Sequence, residues 1–213
     1  MLVAPSMLAA DFGNMATEVK NIEKWGADIV HADVMDGVYV PNITFGMPMI
    51  KAFRQNSTLP IDAHLMITKP EKYVGKFCDA GADIVTFHPD ASDDVQGALD
   101  IIKSKGKKCG LVVNADVDFD VVKPYLGQID MLVIMTVQAG FGGQSFMPLC
   151  LAKAKLGATE REKYGYKYLI EVDGGVSEKN IALLKEAGVD IAVAGSSVFK
   201  SDNPQKTIES LHI

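Results

Sequence analysis

A short stretch of sequence that recurs along the chain limits the folds available to it. Residues 26–30 (Gly-Ala-Asp-Ile-Val) reappear unchanged at 81–85 and as Gly-Val-Asp-Ile-Ala at 188–192, with a looser copy from 127 onward. Each copy follows an amphipathic segment and leads into an apolar one. That order is typical of a helix that ends at a glycine, a tight turn and a buried strand. Buried strands that alternate with helices predict a parallel sheet covered on both faces.

The same pattern predicts strands along the whole chain, at about 2–7, 28–34, 60–67, 83–88, 108–113, 130–137, 167–172 and 189–194. Helices are expected between them, for example at 15–25, 70–80, 93–105, 148–163 and 177–187. Eight βα units in 213 residues favour an α/β fold of the single (β/α)8 (TIM) barrel type, because a doubly wound sheet of this length usually has fewer strands. No linker or low-complexity segment interrupts the pattern, so we expect one catalytic domain over residues 1–213.

Charge and cysteine content restrict the partners and the compartment. The chain has 21 basic and 27 acidic residues, and its net charge of −6 argues against nucleic acid or an anionic membrane as a partner. No apolar run reaches the roughly 18 residues of a membrane span, and Met1 leads into an apolar strand without a basic targeting segment. Cys78, Cys109 and Cys150 are widely spaced, which predicts reduced structural thiols in a cytoplasmic protein and disfavours a cysteine zinc site.

Four polar side chains are expected at the carboxyl ends of strands, where the active sites of such barrels lie. His31 and Asp33 are two residues apart and therefore point to the same side of one strand. His64 and Asp173 end two other strands at the same level. Two imidazoles and two carboxylates at one point predict a site for one divalent metal ion per chain, since burying the carboxylates without a cation is costly. Such mixed ligands suit Zn²⁺, our first expectation, and also Mn²⁺, Fe²⁺ or Co²⁺.

Other side chains are predicted at the same end of the barrel. His88 ends the fourth strand, whereas His212 is expected to be solvated in the tail. Met35, Met66 and Met135 also lie at strand ends. A single methionine most often fills a core, but the three together could form an apolar wall beside a reacting carbon.

Three glycine-rich segments follow consecutive strands and predict a phosphate site. They comprise Gly140, Phe141, Gly142, Gly143 and Gln144 after strand six, Gly174 and Gly175 after strand seven, and Gly195 and Ser196 after strand eight. The loops after strands seven and eight, with the start of a short extra helix, are the usual phosphate site of this architecture. Glycines let backbone N–H groups approach the phosphate oxygens closely. A small phosphorylated molecule is therefore the expected partner.

The motifs at these positions closely resemble those of the ribulose-phosphate 3-epimerase family, over nearly the whole chain. They lie at 4–6, 10–12, 31–37, 40–42, 64–66, 135–137, 140–144, 171–175 and 194–196. The resemblance implies a metal-dependent, cytoplasmic enzyme of the pentose phosphate pathway that epimerises D-ribulose 5-phosphate to D-xylulose 5-phosphate at C3 through an ene-diolate. A homo-oligomer is also expected.

The resemblance assigns roles to residues as well. It implies that His31, Asp33, His64 and Asp173 bind the metal, and that Asp33 and Asp173 are the catalytic acid and base. It further implies contacts with the sugar phosphate from Ser6, His64, Gly140, Phe141, Gly142, Gly143, Gly174, Gly175, Gly195 and Ser196.

Two departures from the family pattern leave the substrate open. The family usually has a proline before the glycine-rich loop, where this chain has Gln138-Ala139. The run at 88–90 (His-Pro-Asp) resembles the allulose-6-phosphate 3-epimerase branch. A hexulose phosphate is therefore the alternative substrate.

Three other functions can be weighed against the sequence. A metal-free decarboxylase with an Asp-x-Lys-x-x-Asp array is disfavoured, because residues 31–36 contain no lysine. A hydride-transfer enzyme is disfavoured because no G-x-G-x-x-G follows a strand. An inactive sugar-phosphate-binding protein is the third alternative, against which the intact Asp33 and Asp173 argue.

Overall fold

Eight parallel strands form one continuous sheet in the computed structural model, which describes residues 1–213. The strands are β1 (Leu2–Pro5), β2 (Val30–Met35), β3 (Ile61–Met66), β4 (Ile84–Phe87), β5 (Lys108–Val113), β6 (Met131–Met135), β7 (Leu169–Asp173) and β8 (Ile191–Ala194). They pair in the order β1-β8-β7-β6-β5-β4-β3-β2. A parallel bridge between Ser6 and His31 joins β1 to β2. The sheet is thus a nearly closed barrel, and the predicted (β/α)8 fold is confirmed.

The α-helices cover the outside of this barrel. They are α1 (Met15–Lys24), α2 (Met47–Asn56), α3 (Val74–Ala80), α4 (Val95–Ser104), α5 (Leu151–Tyr164), α6 (Ile181–Glu186), α7 (Ser196–Phe199) and α8 (Pro204–Leu211). The predicted helices match α1, α4 and α5 to within a few residues. The helix predicted at 70–80 is divided into a 3-10 turn and α3, and the one predicted at 177–187 shortens to α6. No helix combines the length and hydropathy that a membrane span requires.

The segment after β5 has no α-helix. Two 3-10 helices, Phe119–Val121 and Lys123–Gln128, take its place. Pro124 has no N–H to donate within a helix, and Gly127 is a weak helix former, so a regular helix through this segment would be costly. An α-helix follows seven of the eight strands, and two 3-10 helices take its place after β5.

The aspartate of each repeated phrase ties two neighbouring strands together. At the amino end of the barrel these side chains accept backbone N–H hydrogen bonds: Asp28 from Val3 at 2.8 Å, Asp83 from Ile61 at 3.1 Å, Asp130 from Cys109 at 2.9 Å and Asp190 from Ile170 at 2.8 Å. In every case an even-numbered strand is joined to the odd-numbered strand before it. The recurring sequence therefore marks four strand pairs, β1–β2, β3–β4, β5–β6 and β7–β8.

The tail histidine takes part in the first of these ties. The sequence predicts that His212 is solvated, and the structure confirms that it is exposed. Its Nε2 atom nevertheless lies 2.8 Å from Asp28 Oδ2, because α8 packs Leu211 into the core and brings its neighbour close to the start of β2.

The barrel interior has an apolar part and a polar part. Alternation along each strand sends every second side chain inward. From β1, β5, β6 and β8 these are aliphatic residues and methionines, including Val112, Val133 and Val193. From β2, β3 and β7 they include ionisable groups that are fully or almost fully buried, and buried His88 follows directly after β4. The buried ionisable groups therefore enter the interior from two separate parts of the barrel wall, β2 to β4 and β7. The three cysteines are free and buried, as predicted.

Candidate metal centre and active site

Four ionisable side chains converge at the carboxyl end of the barrel. His31 and Asp33 come from β2, His64 from β3 and Asp173 from β7. The parallel register pairs Asp33 with His64, so neighbouring strands deliver these two side chains at one level. One potential ligand atom from each of the four residues lies within 4.8 Å of the others. The structure thus brings together all four residues that the sequence singles out as metal ligands.

The distances within this cluster match the edges of a coordination polyhedron. His31 Nε2 is 3.4 Å from Asp33 Oδ1 and 3.7 Å from Asp173 Oδ2. His64 Nδ1 is 3.4 Å and 3.3 Å from the same two oxygens. These separations are too long for strong N–H···O hydrogen bonds. An ion bound tetrahedrally at about 2.0–2.2 Å keeps its ligand atoms about 3.3–3.6 Å apart, so these residues fit a divalent metal.

The hydrogen-bond inventory supports the same interpretation. His31 Nε2 and His64 Nδ1 are both buried, and neither has a hydrogen-bond partner. Buried polar atoms are normally satisfied, because leaving one unpaired costs about 1–3 kcal/mol. A cation between the imidazoles and the carboxylates would satisfy all of these atoms.

The electrostatics of the cluster favour positive charge. Burial alone would raise the pKa of Asp33, but the adjacent His31 and His64 hold it well below its usual range. The pKa of Asp173 is lowered too, because the two imidazoles outweigh burial and the nearby Asp33. Burial lowers the pKa of His64, whereas the carboxylates of Asp173 and Asp33 raise it, to about 8. The metal-free cluster therefore binds protons where an ion would otherwise supply the charge.

A second layer of buried acids lies behind His31. Its Nδ1 atom is 2.9 Å from Asp62 Oδ2 and 3.6 Å from Glu171 Oε1. Burial, and then the charge of Asp62, raises the pKa of Glu171 well above its usual range. A carboxylate behind a ligand histidine orients the ring and fixes its tautomer. The predicted site omits both acids, although each precedes a predicted ligand, His64 or Asp173, by two residues and so shares its face of the strand.

A cavity of about 330 Å³ opens above the cluster. Asp33 and Asp173 line it, as do Met35, Met66 and Met135. Nine of the ten residues expected to contact the sugar phosphate also line it, namely Ser6, Gly140, Phe141, Gly142, Gly143, Gly174, Gly175, Gly195 and Ser196. The cavity and the cluster therefore share the two carboxylates and form one site.

His64 is the tenth of these residues, and it does not line the cavity. Its side chain is fully buried beneath Asp33 and Asp173. The structure places His64 among the candidate ligands but not among the groups that a molecule in the cavity would contact directly.

Lys200 lines the cavity and is a polar residue that the sequence reasoning missed. Lys200 is the only basic residue in the lining, and it lies one turn beyond Ser196 at the end of α7. Its spacing of four residues from Ser196 is the signal that could have identified it. Ser197 also lines the cavity, but its hydroxyl donates to the carbonyl of Val176 at 2.8 Å and so joins the seventh and eighth loops.

Side-chain hydrogen bonds hold the loop after β6 over the cavity. Gln144 Nε2 donates to the carbonyls of Gln138 at 2.6 Å and Phe141 at 2.7 Å. Asn42 Nδ2 donates to the carbonyl of Gly140 at 2.9 Å. These bonds shape a loop that lacks the family's usual proline. Phe141 remains 54% exposed at its outer edge.

Two adjacent glycines that line the cavity, Gly174 and Gly175, have positive φ angles and no room for a side chain. Gly175 has a φ of +68°, and a Cβ atom there would lie 2.6 Å from the backbone nitrogen of Phe146. Its neighbour Gly174 is fixed through its carbonyl, which accepts a 2.6 Å hydrogen bond from the hydroxyl of Thr136. The backbone can therefore pass close to the cavity at this point.

The sequence of this chain is similar to those of known proteins over nearly its whole length. A model of the ribulose-phosphate 3 epimerase family matches residues 2–199. Ribulose-phosphate 3-epimerase of Bacillus subtilis (strain 168) is 42% identical over 210 residues, 98% of this chain and 97% of that one. The protein of the same name from Escherichia coli (strain K12) is 41% identical, covering 99% and 94%. That from Schizosaccharomyces pombe is 39% identical, covering 98% and 91%.

Solved structures with more distant sequences share the fold alone. A 3-hexulose-6-phosphate synthase has a TM-score of 0.70 at 19% identity, covering 99% of this chain and 98% of that one. The 3-keto-L-gulonate-6-phosphate decarboxylase from Vibrio cholerae O1 biovar El Tor has a TM-score of 0.72 at 15% identity, covering 99% and 94%.

Proposed function

This chain belongs to the ribulose-phosphate 3-epimerase family, and we propose that it interconverts D-ribulose 5-phosphate and D-xylulose 5-phosphate by inverting C3. One observation carries the proposal. Asp33 and Asp173 line the same cavity, yet they reach it from β2 and β7, with β1 and β8 between them. Epimerisation needs proton transfer on both faces of one carbon, and two carboxylates that approach from different sides supply it.

The reaction follows from the acidity of the C3 proton, which is α to the C2 carbonyl. One aspartate removes this proton and leaves an ene-diolate, and the other delivers a proton to the opposite face. Both carboxylates have lowered pKa values and are ionised in the metal-free cluster, so either can accept the C3 proton. The other must first take up a proton from solvent, and this is the proton that it gives to the opposite face of C3. Ser6 Oγ donates a 2.5 Å hydrogen bond to Asp33 Oδ2, which orients that carboxylate. Positioned acid–base groups of this kind typically contribute about 10²–10⁴ in rate.

A divalent ion held by His31, Asp33, His64 and Asp173 would supply Lewis-acid stabilisation of the negative charge on the intermediate. Zn²⁺ is the ion we propose first, because a tetrahedral set of two nitrogens and two oxygens suits it, with Mn²⁺, Fe²⁺ and Co²⁺ as alternatives.

Two features of the cavity complete the proposed substrate site. We assign the phosphate to the backbone of Gly174, Gly175, Gly195 and Ser196, with Lys200 as the only cationic side chain in the lining. Met35, Met66 and Met135 form an apolar wall next to the carboxylates, which limits water around the intermediate.

A hexulose phosphate is the second candidate substrate, and only one of the two sequence departures supports it. His88 is fully buried and does not line the cavity, so it cannot read the length of the sugar. Gln138 and Ala139 do line the cavity. The substrate alternative therefore rests on the loop after β6.

The decisive experiment is an assay of C3 epimerisation with Zn²⁺-reconstituted protein on D-ribulose 5-phosphate, D-allulose 6-phosphate and unphosphorylated D-ribulose. We expect the highest kcat/KM with the pentulose phosphate and very little turnover of the free sugar. A higher kcat/KM for the hexulose phosphate would select the second candidate. No turnover of any substrate, with any of the four ions, would refute both and favour a binding protein.

A further inference from the structure

The two ring nitrogens of His64 face different surroundings. Nδ1 points to the carboxylates of Asp33 and Asp173, 3.4 Å and 3.3 Å away. Nε2 lies 3.0 Å from Nε2 of His88, the residue that follows β4. The two imidazoles meet edge to edge through these nitrogens, with ring centroids 5.1 Å apart and planes inclined by 27°. Both side chains are fully buried.

The contact between the two histidines constrains where their hydrogens can be. A nitrogen that binds a metal must offer a lone pair, so binding through His64 Nδ1 requires the hydrogen on His64 Nε2. Two nitrogens 3.0 Å apart share one hydrogen, so His88 Nε2 must then accept. The hydrogen of His88 is consequently on its Nδ1.

From this geometry we propose that His88 is a positioning residue: its Nε2 accepts the hydrogen bond from His64 and selects the tautomer of His64 that binds the metal. The proposal rests on the metal site proposed above. His88 touches neither the cavity nor the other three ligands' donor atoms in this arrangement, and it acts only through His64.

The immediate surroundings hold the His88 ring in place. The ring of Tyr39 also packs against it, with centroids 4.9 Å apart and planes inclined by 46°. The hydroxyl of Tyr39 donates to Asp90 Oδ2 at 3.0 Å and accepts from Asn114 Nδ2 at 2.6 Å. His88 thus contacts two rings, and one of them, Tyr39, is fixed by side chains from the fourth and fifth loops. A ring restrained in this way can orient its neighbour.

The two candidate ligand histidines differ in what lies behind them. His31 has the carboxylate of Asp62 at 2.9 Å, whereas His64 has an imidazole. The buried cluster already contains four acidic side chains, those of Asp33, Asp62, Glu171 and Asp173. A fifth buried carboxylate would add charge to a region where desolvation is expensive. An imidazole supplies the acceptor without that charge, which gives a physical reason for histidine at position 88.

Nitrogen-15 NMR of the Zn²⁺-loaded chain tests the proposal without any substitution. We expect the hydrogen of His64 on Nε2 and that of His88 on Nδ1. A hydrogen on His88 Nε2 in the Zn²⁺-loaded protein would overturn the proposal.

Zn²⁺ affinity, measured by competition with a chromophoric chelator, gives an independent readout. His88→Phe keeps a planar ring but removes the acceptor, and losses of metal affinity of about 10–100-fold are typical when such a partner is removed. His88→Gln retains an oxygen acceptor and should recover most of that loss. His212→Phe, at the amino end of the barrel, is the matched control and should bind Zn²⁺ as the wild type does.

Equal affinity of the Phe and Gln variants would refute the positioning role, whatever their folding stability. This outcome is separable from failure of the proposed function. A chain that binds Zn²⁺ but epimerises nothing contradicts the function alone, while a chain that binds no Zn²⁺ overturns the metal site and the role of His88 together.

Discussion

Metal-free protein should lose stability as the pH rises from about 6.5 to above 8. The cause is His64, whose pKa in the folded, metal-free chain is raised from its ordinary 6.5 to about 8 by Asp173 and Asp33 in spite of burial. The folded chain therefore binds this proton more tightly than the unfolded chain does. Its contribution is fully present below about pH 6.5 and is lost as the pH rises through 8.

The interval between 6.5 and about 8, at about 1.36 kcal/mol per pH unit, corresponds to roughly 2 kcal/mol in the free energy of unfolding. The proton on His31 stabilises the folded chain in the same direction, because burial lowers the pKa of His31 but the charge of Asp33 raises it by more. The proton on His64 must also leave before Nδ1 can bind an ion. The apparent affinity for Zn²⁺ should therefore fall by at least about tenfold for each pH unit below about 8, because His31 must release a proton as well.

Urea denaturation of chelator-treated protein at several pH values between 6 and 9 measures the first effect, and Zn²⁺ titration against a competing chelator measures the second. His64→Gln should flatten the stability profile over this range, while His212→Gln should keep it. If the wild-type protein without metal were equally stable, or more stable, at pH 9 than at pH 6.5, the assignment of a proton to this cluster would be refuted.

Three further predictions concern the cavity. Asp33→Asn and Asp173→Asn should each lower kcat by at least about 10²-fold, and in D₂O the wild-type product should carry deuterium at C3 from the first turnovers; early unlabelled product would contradict two separate bases. Gly175→Ala should raise KM for the sugar phosphate and destabilise the fold by about 1–3 kcal/mol, since its φ of +68° and the 2.6 Å approach to the nitrogen of Phe146 leave no room for Cβ; unchanged KM and urea midpoint would count against a tight backbone approach here. Lys200→Gln should raise KM several-fold and weaken the dependence of KM on salt, whereas Lys200→Arg should leave both unchanged. An unchanged KM in the Gln variant would show that Lys200 does not contact the phosphate.

Much of the fold was accessible from the sequence because the repeated phrase marks the start of alternate strands. Glycine at the end of a helix and an apolar run after it have a local physical cause, so each of these helix-to-strand turns could be located separately. The helix α2 was not predicted, because its segment lacks a repeat and begins with the sequence Met-Pro-Met. The segment after β5 departed from the pattern for a local reason too, the proline and glycine within it.

The site was partly predictable for a similar reason. His31 and Asp33 are on one strand, where alternation alone places them together, and His64 and Asp173 could be added because barrel strands end at one level. The contact between His64 and His88 depends on how two adjacent rings turn, which no spacing specifies. Lys200 could be assigned to the cavity only once the course of the short helix α7 was known. Oligomeric state, native ion and cytoplasmic location stay predictions.

The four strand pairs that the repeated aspartates define also differ at the opposite rim. There the candidate ligands come from three of them: His31 and Asp33 from β1–β2, His64 from β3–β4 and Asp173 from β7–β8. An ion bound by these residues would therefore link three of the four strand pairs, and β5–β6 would contribute no ligand. That remaining pair carries the loop over the cavity, residues 138–144. Changes in the sequence of this loop can therefore alter the cavity without replacing any of the four candidate ligands, because none of them comes from β5–β6.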